Sequence, residues 1–384
     1  MKLLITTIFF VAVFDPTNFL SMRNFVFMAI AIVAFLTVLH SCKIERNLIL
    51  YWSIFCLFLP VYGLFVFSIR SGNLLNFNDF SYFSAGLIAL TAIFFSKYEN
   101  FVYGLKLLIY TGIFVAFFIL LFAFMHITGN EFAGLMSENN WGFVGFRDRF
   151  DLKMPYIHML SQPLMIPAFV YLVWRFYYYS EKYHALAIFI IFVATIIADS
   201  RTFLFVEIFI VYMFFINSRE SLISRVSLHV TGVLLVVLFV IYLSTFYSVS
   251  IRDTGRLSDL VMYLKIFHNE SNIFFGQGLH AKIWSTDFAS MLGRVESTRT
   301  EFTYLEIIRV FGLFSLIFFS YTIFLLWSLY KINIVPFLMI LSLFVIASTN
   351  PYLFSMNGII PLSLFVNLKN VKIFFTRKSM CLQN

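Results

Sequence analysis

The sequence predicts an all-α polytopic membrane protein, with about twelve transmembrane helices in a single integral membrane domain, residues 1–384. The first observation is composition, which is 61% hydrophobic and only 12% charged, with a mean hydropathy of +0.90. A water-soluble domain needs more polar surface than this composition supplies. The second is that apolar runs long enough to cross a bilayer recur from end to end. The third is a charge asymmetry between alternate loops.

The apolar runs define the predicted spans, because a helix needs about 20 apolar residues to cross the hydrocarbon core. The first run is short, since Asp15 and Pro16 interrupt it. It lacks a small-residue cleavage site, so we interpret it as a retained span and not as a removed signal peptide. The predicted spans are residues 3–20, 24–40, 48–68, 80–96, 106–126, 155–174, 184–199, 202–216, 228–247, 304–328, 332–349 and 352–368.

The short connections support this order of spans. If the N-terminus is cytoplasmic, each short inside connection contains more Lys and Arg than Asp and Glu, which is the positive-inside pattern. Both termini are therefore predicted to be cytoplasmic, and the net charge of +8 reflects topology and contact with the cytoplasmic leaflet, not nucleic-acid binding. Two of the three cysteines are predicted on the cytoplasmic side and the third within a span, so neither a disulfide nor a cysteine metal site is predicted. The inside connections are residues 41–47, 96–106, 175–184, 217–225 and 329–333.

Two long outer loops, about residues 127–154 and 248–303, hold most of the remaining polar residues. Their basic residues run against the positive-inside rule. Either long loops escape that rule and need solubility, or the basic groups bind an anion at the outer face; for the group as a whole we favour the anion site. The basic residues of these loops are Arg147, Arg149, Lys153, Arg252, Arg256, Lys265, Lys282, Arg294 and Arg299.

The second outer loop is expected to contain short helices. Residues 257–267, "LSDLVMYLKIF", carry apolar side chains at helical spacing, which predicts a helix that lies along the membrane interface or caps the bundle. Gly276 and Gly278 then predict a tight turn. Because no strand–helix unit surrounds the two glycines, we do not interpret them as a nucleotide-binding loop.

Residues 196–209, "IIADSRTFLFVEIF", place charges in an apolar run. Arg201 begins a predicted span, where its guanidinium can either snorkel to water or hold a phosphate. Glu207 lies about 9 Å deeper and about 240° around the helix, so it needs a partner other than Arg201. The expected partners are Arg309, His158 or a bound sugar. A structural ion pair and a functional site remain equal alternatives for this carboxyl.

Residues 298–317, "TRTEFTYLEIIRVFGLFSLI", are where the second outer loop returns to the membrane. Glu306 and Arg309 are one helical turn apart, which predicts an intrahelical salt bridge. Glu301 is a carboxylate at the edge of the membrane near many arginines. It is therefore the candidate general base.

The ordered set of these motifs resembles the superfamily of O-antigen polymerases (Wzy) and O-antigen ligases. The dominant outer loop before the last few spans is also similar. The resemblance covers topology along the chain, and local motifs only across residues 198–317. The motifs are Ser200-Arg201-Thr202 at a span start, Gly255-Arg256, Gly276-x-Gly278, and Glu301-x-x-Tyr304-Leu305-Glu306 followed by Gly312.

The resemblance implies a GT-C-like helical fold in a bacterial inner membrane, with the active site on the periplasmic side. It implies a glycosyltransferase that takes undecaprenyl-diphosphate-linked glycans as substrates and works with a chain-length regulator protein. By motif position, Arg201 and Arg256 inherit contact with the lipid diphosphate. Ligase-type members commonly have a histidine where this chain has Glu301, which favours a polymerase over a ligase.

The resulting expectation is a polymerase with Glu301 as catalytic base and no metal or other cofactor. A lipid-linked oligosaccharide flippase is the alternative from another class, because it too must bind a diphosphate. Flippases of that kind tend to show two related halves and a charged central path, and neither feature is evident here. The expected substrate-binding residues are Arg201, Arg256, Arg147, Arg149, Arg299, Arg309, Glu207 and His158.

Overall fold

The computed structural model describes most of the chain as a bundle of helices with one β-hairpin. The described residues are 1–15, 22–40, 44–72, 84–139, 141–149, 152–179, 181–198, 200–217, 260–279, 281, 302–348 and 352–380. The predicted helical membrane class is confirmed in these residues. The predicted span 228–247 lies outside them.

The helices largely follow the predicted apolar runs. Up to the hairpin they are α1 (Lys2–Phe14), α2 (Met22–His40), α3 (Arg46–Ser71, with a π-helical turn at Ser53–Phe58), α4 (Ser84–Ala89, continued as a 3-10 helix Leu90–Ser96), α5 (Tyr98–Ile127) and α6 (Leu135–Glu138, after a 3-10 turn Glu131–Gly134). After the hairpin come a 3-10 turn (Gln162–Leu164), α7 (Met165–Tyr179), α8 (His184–Ile197), α9 (Arg201–Asn217), α10 (residues 260–267), α11 (Glu270–Phe275), α12 (Thr303–Phe311), α13 (Ser315–Ile332, after a 3-10 turn Gly312–Phe314), α14 (Ile334–Ala347), α15 (Met356–Phe365) and α16 (Leu368–Met380).

Four helices in the described residues are long and apolar enough to cross a membrane, and a fifth is added if a bent pair counts as one span. The four are Met22–His40, Arg46–Ser71, Tyr98–Ile127 and Thr303–Ile332. The bent pair is Met356–Phe365 with Leu368–Thr376, which meet at 71°. Several other apolar helices are shorter than a full span. The larger count of about twelve spans stays a prediction.

Residues 142–149 and 152–159 form the two strands of a β-hairpin, which corrects two expectations. Strand β1 (Gly142–Arg149) pairs antiparallel with β2 (Leu152–Met159). The first outer loop is thus partly β-structure, and the predicted span 155–174 becomes helical only at Met165. The prediction failed because a short apolar run does not by itself distinguish a strand from a helix.

The bend between α15 and α16 is held by amide side chains. Asn367 Nδ2 donates to Ala92 O at 3.0 Å, and Asn370 Nδ2 donates to Phe95 O at 2.8 Å. Both acceptors belong to the 3-10 end of α4, and Phe95 O is one of its last carbonyls, which lack helical partners. The predicted single span 352–368 is therefore a shorter helix followed by a bend.

Candidate functional site

The described part of the second outer loop, residues 260–279, docks on the helical bundle; we call it the docked segment. Arg70, in the last turn of α3, donates to Asn272 Oδ1 at 2.6 Å and to Ser271 O at 2.8 Å. Further along, Leu279 N donates to Gly63 O at 3.0 Å. The docked segment is thus hydrogen-bonded to α3 at two points, Gly63 and Arg70.

Arg309 on α12 joins the docked segment to the returning helix. Its guanidinium is fully buried and donates through Nε to Glu306 Oε2 at 2.9 Å and through NH2 to Glu306 Oε1 at 2.5 Å. NH1 donates to Gln277 Oε1 at 3.0 Å and to Ala281 O at 2.9 Å. The predicted salt bridge between Glu306 and Arg309 is confirmed. The guanidinium therefore donates hydrogen bonds to two parts of the chain: Glu306 on its own helix, and Gln277 and Ala281 in the second outer loop.

The predicted glycine turn is also confirmed, and it lies against the same helix. Gly276 and Gly278 have φ of 75° and 84°, a region that favours glycine. Gly278 N donates to Val310 O at 3.1 Å. A Cβ on Gly276 would lie 2.2 Å from Val310 O, and a Cβ on Gly312 would lie 2.5 Å from Gly276 N. The turn and the end of α12 therefore approach more closely than any side chain would allow.

Helix α10 confirms the amphipathic helix predicted in this loop. Tyr263 is only 1% exposed, and its hydroxyl donates to Glu306 Oε2 at 2.8 Å. Leu260, Val261 and Leu264 point the other way and are 40%, 44% and 65% exposed. An apolar helix face directed away from the protein is typical of a helix lying on lipid. The buried tyrosine fixes the opposite face to the Glu306–Arg309 pair.

Arg201 begins α9 and is exposed, as expected for a residue at the start of a span. Glu207 is fully buried on the same helix, and its Oε1 accepts a hydrogen bond of 2.7 Å from Thr195 Oγ1 on α8. Two of the expected partners of Glu207 were wrong, because Arg309 pairs with Glu306 and His158 bonds to Tyr352; a bound sugar stays a prediction. No sequence pattern indicates that a threonine on the preceding helix would fill this role.

His158 lies on strand β2 of the hairpin. Its Nε2 is hydrogen-bonded to the Tyr352 hydroxyl at 2.6 Å, and its ring stacks on Tyr156 and Tyr352. Asn357 Nδ2 donates to Leu160 O at 2.8 Å and secures the end of the hairpin to the start of α15. His158 therefore belongs to a junction between the hairpin and the last helices.

The remaining predicted site residues are placed only in part. Arg147 and Arg149 lie on strand β1, paired with Met154 and Leu152 in the hairpin register. The other three, Glu301, Arg256 and Arg299, lie outside the described residues.

Sequence reasoning missed three residues that organise this region: Arg70, Tyr263 and Gln277. Each is an ordinary polar residue in its own segment, and only the docking of the loop reveals its partner. In the part of the chain that the structure describes, no group of three or more His, Cys, Asp or Glu side chains is placed to hold a metal ion. The arrangement provides buried hydrogen bonds that fix an outer-loop segment beside the start of α12.

Comparison of the chain with protein-family models, with curated proteins and with solved structures finds no match.

Proposed function

We propose that the protein is a membrane glycosyltransferase that polymerises undecaprenyl-diphosphate-linked oligosaccharide repeat units into a surface polysaccharide. The proposal includes the full set of about twelve spans, a GT-C-like arrangement, the bacterial inner membrane and an active site on the periplasmic side. A chain-length regulator protein is the proposed protein partner. The proposal rests on the motif resemblance and on the contacts among those motifs.

The observation that carries the proposal is that separate motifs form one contact unit. The Gly276-x-Gly278 turn lies about 30 residues before the Glu306–Arg309 pair and the neighbouring Gly312, yet the turn touches both through hydrogen bonds and close backbone approach. Unrelated local patterns would have no reason to meet. The unit also fixes the start of α12, which begins two residues after Glu301 in the sequence.

The length of the returning helix supports an outer location for this unit. Residues Thr303–Ile332 form a 30-residue apolar helical run. At about 1.5 Å per residue such a run is about 45 Å long, against a hydrocarbon core of about 30 Å. If Lys331 lies at the cytoplasmic side, as the positive-inside pattern predicts, the excess length supports a position of α12 at the level of the opposite headgroups. A lipid diphosphate presents its anionic group at that level.

The proposed chemistry is transfer of a glycan from its diphosphate leaving group to an acceptor hydroxyl. Charge on the diphosphate grows as the glycosidic bond breaks, so fixed cations stabilise the transition state more than the ground state. A guanidinium about 4 Å from a phosphate is worth about 4 kcal/mol at an effective dielectric constant near 20. Arg201 and Arg256 are the proposed cations. Glu301 is the proposed base that removes the acceptor proton.

The test supplies purified protein with lipid-diphosphate repeat units and resolves the products by length. A polymerase gives a ladder of products. Arg201→Ala, Arg256→Ala and Glu301→Gln should each remove the ladder while leaving membrane insertion intact. Lys97→Ala is the matched control, because it removes an exposed cation from a predicted cytoplasmic connection.

Three outcomes contradict the proposal in different ways. A single transfer to a lipid A-core acceptor identifies a ligase. Movement of substrate across the bilayer without new glycosidic bonds identifies a flippase. Normal ladders from both arginine variants show that the diphosphate assignment is wrong.

A further inference from the structure

A groove lies between helices α7, α8 and α9, apart from the contact unit at the docked segment. Its volume is about 380 Å³, within the range of pockets that hold small ligands. Ile208 and Val211 on its rim are 51% and 37% exposed. Exposed apolar side chains on a membrane helix face hydrocarbon, so the groove opens towards lipid. It is lined by Phe169, Tyr177, Phe192, Glu207, Ile208, Val211, Tyr212 and Phe215.

One oxygen of Glu207 has no hydrogen-bond partner in this groove. Oε1 accepts from Thr195, whereas Oε2 is buried and unpartnered. A buried polar atom surrounded by hydrocarbon is unfavourable unless a hydrogen bond satisfies it. The lining residues give no hydrogen bond to that oxygen, so a molecule that enters the groove can supply its partner.

The lining restricts the chemical class of that molecule. Phenylalanine, isoleucine and valine side chains suit an alkyl or isoprenoid chain. None of the lining residues is a cation, so nothing there favours a phosphate group. Glu207 lies six residues into α9, about 9 Å below the level at which the helix begins, which is deeper than a zwitterionic headgroup. A neutral hydroxyl fits, because it can donate to or accept from a carboxyl oxygen.

We propose that this groove binds a neutral lipid alcohol, whose chain packs on the aromatic lining and whose hydroxyl hydrogen-bonds to Glu207 Oε2. The inference does not depend on the proposed glycosyl transfer. It assigns the buried carboxyl to a ligand of the hydrocarbon phase, and it explains why Glu207 has only one protein partner.

The test measures binding of 1-hexadecanol and of hexadecane to the full-length protein by native mass spectrometry. The two probes differ by a single hydroxyl group. We expect wild-type protein to retain the alcohol about fivefold more than the hydrocarbon, the effect of one neutral hydrogen bond. Glu207→Gln keeps a hydrogen-bonding amide and should retain this preference, whereas Glu207→Leu should remove it.

A diazirine derivative of hexadecanol locates the bound alcohol. Labelling should map to peptides of α8 and α9, and Val211→Trp, which fills the groove from its exposed rim, should remove that labelling. Equal retention of alcohol and hydrocarbon by wild-type protein overturns the proposal, as does labelling confined to other helices. Both of these results come from the wild-type chain and stand even if Glu207→Leu does not fold.

Discussion

Arg309 is among the largest side chains that are fully buried in the described residues. A buried guanidinium is stable only if its donors are satisfied, and here Glu306, Gln277 and the Ala281 carbonyl accept from it. The sequence predicted the nearest of these contacts from helical spacing alone. The other two connect segments about 30 residues apart, which no local pattern specifies.

Arg309→Met should destabilise the protein by about 3–5 kcal/mol, because the Glu306 carboxylate loses its charge partner in a largely buried site. Glu306→Leu should cost a similar amount by leaving the arginine unpaired. The double variant should cost clearly less than the sum of the two, which a double-mutant cycle on unfolding free energies in detergent will measure. Additive effects would show that the pair contributes no coupling.

Gly276→Ala should destabilise the docked segment through strain and steric overlap. With φ of 75° and ψ of −176°, Gly276 has a backbone conformation essentially restricted to glycine, which costs another residue about 1–3 kcal/mol, and overpacking adds about 1–3 kcal/mol. Gly129→Ala is the matched control, since its φ is 70° and nothing lies within 4 Å of the added Cβ. Thermal unfolding of the two variants compares a positive φ with steric overlap against a positive φ without it. Equal destabilisation would contradict the close approach to Val310.

The β-hairpin was the element that apolar periodicity did not predict. Residues 155–160 are apolar apart from His158 and lead towards the apolar start of α7, so the sequence run alone favoured one long helix. Pairing with β1 satisfies the backbone of these residues instead, and contacts from Tyr352 and Asn357 hold the hairpin to the last helices. Partners distant in sequence therefore decided the secondary structure of this segment.

The hairpin register predicts a cross-link between cysteines placed at Phe146 and Pro155, which lie directly opposite each other. Directly opposed side chains share a face, with Cβ atoms about 4.5–5.5 Å apart. Cysteines at Phe146 and Met154 are the control, because adjacent positions on a strand face opposite sides. Oxidation of each pair, with the three native cysteines replaced, is read as a mobility shift. Preferential cross-linking of the control pair would show a different register.

Across the molecule, the asymmetry of charge predicts which parts face each side of the membrane. Lys265 lies in the docked segment and Lys182 lies in the connection between α7 and α8, and both side chains are exposed. The positive-inside pattern places Lys182 in the cytoplasm and Lys265 outside. The two positions therefore test the orientation of the whole bundle.

In intact cells stripped of any outer barrier, a membrane-impermeant maleimide should label Lys265→Cys and should not label Lys182→Cys until the membrane is permeabilised. Both variants carry a cysteine at an exposed former lysine, so their intrinsic reactivity is matched. The reverse pattern would invert the topology. It would also remove the outer-face location that the proposed function requires.

The sequence by itself determined the membrane class, the glycine turn and the Glu306–Arg309 pair. Each of these depends on residues within a few positions of one another, or on composition summed over a span. Only the tertiary structure decided that the long outer loop docks on α3 through Arg70, that Tyr263 and Gln277 meet the buried pair, and that Thr195 is the partner of Glu207. These contacts join surfaces brought together by packing, and the free energy that selects them depends on which buried polar groups can satisfy one another.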